Sequence, residues 1–149
     1  MSGIKIVTEN RKARFDYSII EKYEAGMALM GSEVKSLRAG QAQLKDSYVV
    51  FIGTEMYLQN AHISEYRPSS YNNHPPERRR KLLMKRHEMD KLAAMIHEKG
   101  LTIVPLKIYF SKGIAKIEIA VVKGKKRHDK RDSIKERDVK RELGRAQRR

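Results

Sequence analysis

A mainly β chain with about three helices, arranged as a six-stranded antiparallel barrel and followed by a basic C-terminal tail, is the architecture this sequence predicts. Three observations carry that expectation. Val104, Leu106, Ile108 and Phe110 alternate on one face up to the turn Ser111-Lys112-Gly113, and Ala115, Ile117, Ile119 and Val121 alternate after it. A period of two on both sides of a short turn is the pattern of a half-buried hairpin. A second hairpin is expected around Gly53-Thr54-Glu55, between the aromatic and β-branched runs 47–52 and 56–63. The last strongly apolar run ends at Val122, and charge takes over from Lys123.

The first strand is Ile4-Lys5-Ile6-Val7, and the polar run Thr8 to Arg14 is an exposed crossing or strand end. Asp16 is placed to cap a short helix over Tyr17 to Ala25, with Ile19, Ile20 and Tyr23 on one side and Gly26 ending it. Met27 to Met30 follows as a second strand. Ser32 caps a helix through Glu33 to Ala39, closed by Gly40, with Val34 and Leu37 inward and Lys35 and Arg38 sharing another face. Pro68 to Pro76 forms a loop. Arg78-Arg79-Arg80-Lys81 leads a long helix in which Leu82, Met89, Leu92, Ala93 and Ile96 share a face and Gly100 is the stop. Pro105 points away from the apolar face of its strand and suits a strand end or edge. Six short strands, with the long helix between the fourth and fifth, describe an OB-like barrel. A doubly wound parallel sheet would need more crossovers.

The 149 residues fit one body, 1–122, with a tail, 123–149. The formal charge is +15, and the tail alone holds 13 Lys and Arg against 5 Asp and Glu. Such a balance calls for a partner of dense negative charge, nucleic acid before membrane or acidic protein. With no cysteine the chain has no disulfides or Cys-based zinc module. No apolar run approaches the roughly 20 residues of a membrane span, and the N-terminus lacks a signal-peptide pattern, so a cytoplasmic protein without membrane partners is expected.

After Val122 only Ile134, Val139 and Leu143 offer branched apolar surface, too little to order the tail alone. Ser133 with Glu136 makes a capping box, and Glu136 with Lys140 a favourable four-residue pair. The tail is therefore expected to be disordered when free and helical once its cations meet a polyanion. A permanently solvated basic tail is the plainer alternative.

The five histidines, His62, His74, His87, His97 and His128, show no metal-ligand spacing, and no glycine-rich phosphate loop is present, so neither metal nor cofactor is expected. His128 beside Asp129 has the composition of an oriented general base, but a catalytic group needs a fixed pocket. A histidine that stacks on a base among phosphate-binding cations is the better reading. Glu24, Glu33 and Glu118 are by default solvated charges. Glu24, just before Ala25-Gly26, has a sharper alternative: a carboxylate accepts hydrogen bonds from base amino groups, which Lys and Arg cannot do. Tyr71, Asn72 and His74 form an exposed cluster that either stacks on bases or packs on the barrel.

Taken in order, Glu24-Ala25-Gly26, the run Gly31 to Gly40, Asp46-Ser47-Tyr48-Val49, Arg80-Lys81-Leu82-Leu83, Val104-Pro105-Leu106 and Gly124 to Arg131 resemble the bacterial SmpB family of SsrA-binding proteins. The resemblance covers nearly the whole chain. It implies a protein that is not an enzyme and that binds the tRNA-like part of transfer-messenger RNA, delivering it to stalled ribosomes for trans-translation. Elongation factor Tu and alanyl-tRNA synthetase are implied as indirect partners through that RNA. Asn10, Glu24 and Leu83 fall at positions the family uses for its RNA face, with Arg11, Lys12, Arg14, Lys35, Arg38 and Lys81 as the implied cations around them. Gly124, Lys125, Lys126, Arg127, His128, Asp129, Lys130 and Arg131, with Lys135, Arg137, Lys140 and Arg141, fall in the ribosome-facing tail. There the resemblance implies a helix in the empty messenger channel and a histidine stacked at the decoding centre of the small-subunit rRNA.

Overall fold

The computed structural model describes residues 4–66, 73–97 and 101–124. Its elements in order are β1 (Lys5–Glu9), α1 (Arg11–Asp16), β2 (Tyr17–Met27), α2 (Gly31–Arg38), β3 (Ala42–Gln43) and β4 (Tyr48–Ile52). They continue with β5 (Glu55–Gln59), β6 (His62–Ile63), β7 (Arg80–Leu83), α3 (Arg86–Ile96), β8 (Leu101–Ser111) and β9 (Ile114–Gly124). Seven strands form one sheet in the order β1-β8-β9-β2-β7-β5-β4, with every pairing antiparallel, and β3 pairs β6 separately. The expected class, antiparallel β with three helices, holds. The strand count is higher than six, and the barrel is not closed: β4 approaches β8, but β1 and β4 remain the two edges of the sheet.

The predicted helix over Tyr17 to Ala25 is instead an 11-residue strand, β2. Its register against β9 shifts between Ile19 and Glu21, a bulge that sets two isoleucines side by side and breaks the alternation. Beyond the bulge Tyr23 and Ala25 face the main core, and before it Tyr17 and Ile19 face the second cluster on the other side of the sheet. Met27 ends β2, so the strand expected over Met27 to Met30 does not form separately. The exposed crossing expected over Thr8 to Arg14 contains α1. Arg80 to Leu83 is also strand, pairing β2 and β5, and the long helix starts only at Arg86. Met89 and Leu92 of that helix are buried as expected.

β8 and β9 make the predicted hairpin, turning at Lys112 and Gly113, both in the left-handed region. The alternation on β8 is interrupted at Pro105, where the register against β9 shifts. Ile108 and Phe110 face the main core, while Val104 and Leu106 face a second cluster with Ala13, Ala120 and Val122. β1 ends with Glu9 opposite Lys107, so Pro105 lies where β8 has lost that neighbour and no ladder bond is missed.

The sheet thus has two faces of different character. Its inner face carries the main core, with Leu58, Leu82, Ile117 and Ile119 fully buried, and α2 and α3 cover it through Leu37, Met89 and Leu92. Among the described residues, α1 is the one element that covers the outer face, packing Ala13 on Val104, Leu106, Ala120 and Val122 at one end. No other described element packs over the part that carries Glu24 and Lys116.

Inside the wall, Glu33 is fully buried and every oxygen it has is occupied. Oε1 accepts from the Met30 backbone N–H at 2.8 Å and from Arg78 Nη2 at 2.5 Å, and Oε2 accepts from Arg80 Nε at 2.5 Å. Arg80, also fully buried, donates its remaining nitrogens to the carbonyls of Ala61 and Pro76. The expectation of a solvated Glu33 is therefore overturned. The pair ties α2 to β7 and to the segment before it, and complete hydrogen bonding is what makes its burial tolerable.

Candidate nucleic-acid interface

Along β9, Ile117, Ile119 and Val121 point inward, so Lys116, Glu118, Ala120 and Val122 alternate onto the outer face. The ladder places Glu24 directly opposite Glu118, which lies opposite Lys107, and Gly26 opposite Lys116, which lies opposite Tyr109. Leu83 of β7 pairs with Gly26 from the other side and is half exposed. Gly26 has no side chain to raise the floor between them, and Leu83 Cβ lies 3.4 Å from where its Cβ would stand. The result is a shallow groove lined by Glu24, Ala25, Gly26, Leu83, Met84, Lys85, Glu88 and Lys116.

Of the residues singled out in the sequence, Glu24 and Leu83 are brought together here, while Lys81 lies further along the face, beside Ala28. Lys81 and Leu83 alternate on the same side of β7, while Arg80 and Leu82 point inward. Lys81 Nζ is 3.5 Å from Glu55. Arg11, Lys12 and Arg14 stand exposed on α1, which caps the far end of the same outer face. Lys12 pairs with Asp46 at 2.9 Å, and among the described residues Arg11 and Arg14 have no ion-pair partner.

Asn10 sits differently from its neighbours. It is buried, its Oδ1 accepts from the Ala13 backbone N–H as the N-cap of α1, and its Nδ2 donates to the carbonyls of Pro105 and Leu44. Both amide hydrogens are engaged internally, so Asn10 holds α1 on β8 and leaves the outward contacts to Arg11, Lys12 and Arg14. Lys35 and Arg38 stand apart from the groove, on the exposed side of the helix that covers the inner face. Lys35 Nζ lies 5.6 Å from the Tyr66 ring centre and the Arg38 guanidinium 5.8 Å from that of Phe110. Gly124 is the last residue of β9, paired with Tyr17. The other tail positions from Lys125 to Arg141 lie outside the described residues, as do Tyr71, Asn72 and Gly100.

His74 is not part of an exposed cluster. It is buried, its Nε2–H donates to the Ile63 carbonyl and its Nδ1 accepts from the Ser32 hydroxyl, both at 2.8 Å. Ser32, expected to cap α2, is thereby used to hold the 73–76 segment. Among the described residues no group of His, Asp or Glu is arranged to hold a metal ion, and no helix is long and apolar enough to cross a membrane.

A polar groove edged by lysines and by the carboxylates of Glu24 and Glu88 suits a partner with both phosphates and hydrogen-bond donors, as a folded RNA has. The family model described as SmpB protein matches residues 7–149. The chain belongs to the SmpB family. Curated SmpB-family relatives include an SsrA-binding protein of Bdellovibrio bacteriovorus, 66% identical over 137 residues that cover 92% of this chain and 90% of the relative. Another, from Salinispora tropica, is 56% identical over 97% of this chain and 91% of its own length. A solved chain from a structure described as "tmRNA-SmpB: a journey to the center of the bacterial ribosome" superposes with a TM-score of 0.69 at 47% identity, covering 85% of this chain and 93% of that one.

Two residues of the groove, Lys85 and Lys116, and two on the strand beside it, Lys107 and Tyr109, are not among the residues singled out from the sequence. Tyr109 and Lys116 each lie between inward residues of the predicted hairpin, so its alternation could have nominated them.

Proposed function

We propose that this chain is the RNA-binding adaptor of a ribosome-rescue system, gripping the tRNA-like domain of transfer-messenger RNA and bringing it to stalled ribosomes so that incomplete peptides are tagged. The observation that carries this reading is the part of the outer sheet face that no other described element packs over, where Glu24 stands exposed beside Lys116, Lys85 and Leu83, in a chain of the SmpB family. Cations on α1 and β7 bind phosphates and Glu24 accepts from a base edge. The segment from Lys125 onward, beyond the end of β9, occupies the empty messenger channel as a helix, with His128 at the decoding centre. Elongation factor Tu and alanyl-tRNA synthetase are engaged through the RNA, in the cytoplasm. No step of this function needs a bond made or broken by the protein.

The test is a binding comparison at physiological salt. The full chain and a chain ending at Gly124 are titrated with the tRNA-like domain, with elongator tRNA and duplex DNA as competitors. Both are expected to select the tRNA-like domain, and only the full chain to support peptide tagging in a reconstituted translation system. Equal affinity for the three nucleic acids would overturn the reading. If the tail neutralises about six phosphates, its ribosome affinity should fall roughly a thousandfold over a fourfold rise in salt.

A further inference from the structure

Glu24 is exposed, yet it is not free to move. Its Oε2 accepts a hydrogen bond from the Tyr109 hydroxyl, 85 residues away in sequence. Tyr109 lies on β8, two strands from β2, and its phenol reaches diagonally over β9: Tyr109 pairs with Lys116, and Lys116 pairs with Gly26, two residues beyond Glu24. The tyrosine is only 4% exposed although it sits on the outer face, and the Lys107 ammonium covers its ring at 5.6 Å. Burial, followed by the Glu24 contact, pushes the phenol well above its ordinary range, so it stays a donor.

The charged groups around Glu24 set what else could hold it. Glu118 stands directly across the ladder, with Oε2 4.0 Å from Lys107 Nζ and Oε1 buried without a hydrogen-bond partner among the described residues. Like charges directly opposite repel, so Glu24 held by nothing else would swing outward among many rotamers. Lys116 is a neighbour on the adjacent ladder position, and Lys22 lies on the same face two residues earlier. No ion pair between Glu24 and either lysine forms among the described residues. Among the described residues the phenol alone holds the Glu24 carboxylate, by Oε2, and Oε1 has no partner there.

We propose that Tyr109 is a positioning residue for RNA recognition: its hydroxyl pins the Glu24 carboxylate so that the remaining oxygen meets a base-edge donor already oriented. The inference rests on the adaptor reading above, and it adds a residue that does not itself touch RNA. A carboxylate locked before binding loses less rotamer freedom when the RNA arrives.

Tyr109→Phe keeps the ring and its packing and removes only the hydroxyl. Affinity for a transcript of the tRNA-like domain would be measured for wild type, Tyr109→Phe, Glu24→Ala and the double variant, with urea unfolding of each. Tyr109→Phe is expected to bind about three- to tenfold more weakly, the scale of the rotamer freedom returned to the carboxylate, with a lowering of the unfolding midpoint no greater than that of Glu24→Ala, which loses the same hydrogen bond. In the Glu24→Ala background the same change should cost under about twofold, because the two residues act as one unit. Wild-type affinity in Tyr109→Phe, or the same loss repeated in full on top of Glu24→Ala, would overturn the inference while leaving the adaptor reading intact. Equal wild-type affinity for the tRNA-like domain, elongator tRNA and duplex DNA would overturn both.

Discussion

Glu33 and Glu24 are carboxylates nine residues apart in a strongly basic chain, and the structure uses them in opposite ways. Glu33 is sealed inside the wall between two arginines and a backbone N–H, with both oxygens occupied. Glu24 is held at one oxygen by Tyr109 and presents the other to solvent. A carboxylate satisfied on every side has nothing left for a partner and acts on the fold. One that is oriented but half satisfied costs the fold little and is available to a ligand. Hydrogen-bond completeness, more than charge, separates the acid that serves the fold from the acid left available to a partner.

The sharpest way to break this contrast is Glu33→Ala. It leaves buried Arg80 and half-buried Arg78 without their counter-charge, and a loss of about 3–5 kcal/mol in urea unfolding is expected. A loss below about 1 kcal/mol would put Glu33 with ordinary surface pairs. Acid titration tests the same site. Burial alone would raise the Glu33 carboxyl, but Arg78, the Met30 N–H and Arg80 together hold it below its ordinary value of 4.5. The unfolded chain therefore takes up this proton first as pH falls. The stabilisation is complete above about pH 4.5 and disappears as pH drops through the lower folded value, so Glu33→Gln should flatten that part of the acid-unfolding curve.

Asn10→Ala comes next. Losing a helix cap and stranding two buried carbonyls should cost about 2–3 kcal/mol by thermal or urea unfolding. Its RNA affinity should follow the loss of ordered α1, seen as restored binding when a stabilising osmolyte is added. Glu24→Gln should do the reverse, changing stability by less than about 0.5 kcal/mol while weakening the tRNA-like RNA about tenfold or more. Arg11→Ala gives the smallest change: about two- to fivefold weaker binding, uniform across RNA sequences, with the log–log salt slope reduced by about 1.

How far each acid was legible in the sequence follows from the same contrast. Glu24 could be singled out from its neighbours because an exposed acceptor beside Ala25-Gly26 needs only local chemistry to be noticed. The role of Glu33 depends on Arg78 and Arg80, 45 and 47 residues away, and no periodicity reports such a pairing. The hairpin of β8 and β9 was readable because strict alternation flanks a turn containing Gly113. β2 was misread because its bulge places Ile19 beside Ile20, and the disturbed alternation then matches a helical spacing with Tyr23. Arg80 to Leu83 was assigned to a helix because four cations at its start look solvated, whereas Arg80 is an inward residue of β7 with its charge fully matched. The Tyr109 contact crosses an intervening strand, and only the folded sheet brings it into view.

Strand β9 also sets a distance. Glu118, opposite Glu24, and Gly124, where the strand ends, belong to one element six residues apart, paired with β2 throughout and with β8 as far as Lys123. At strand rise that is about 20 Å of stiff spacer between the groove and the point from which the basic segment departs. On the adaptor reading, two weak attachments joined by a rigid arm behave as one strong attachment when their targets match its length, because binding the first raises the local concentration of the second. The sheet would then serve as a gauge, favouring an RNA and a ribosomal channel held at one separation over either presented alone.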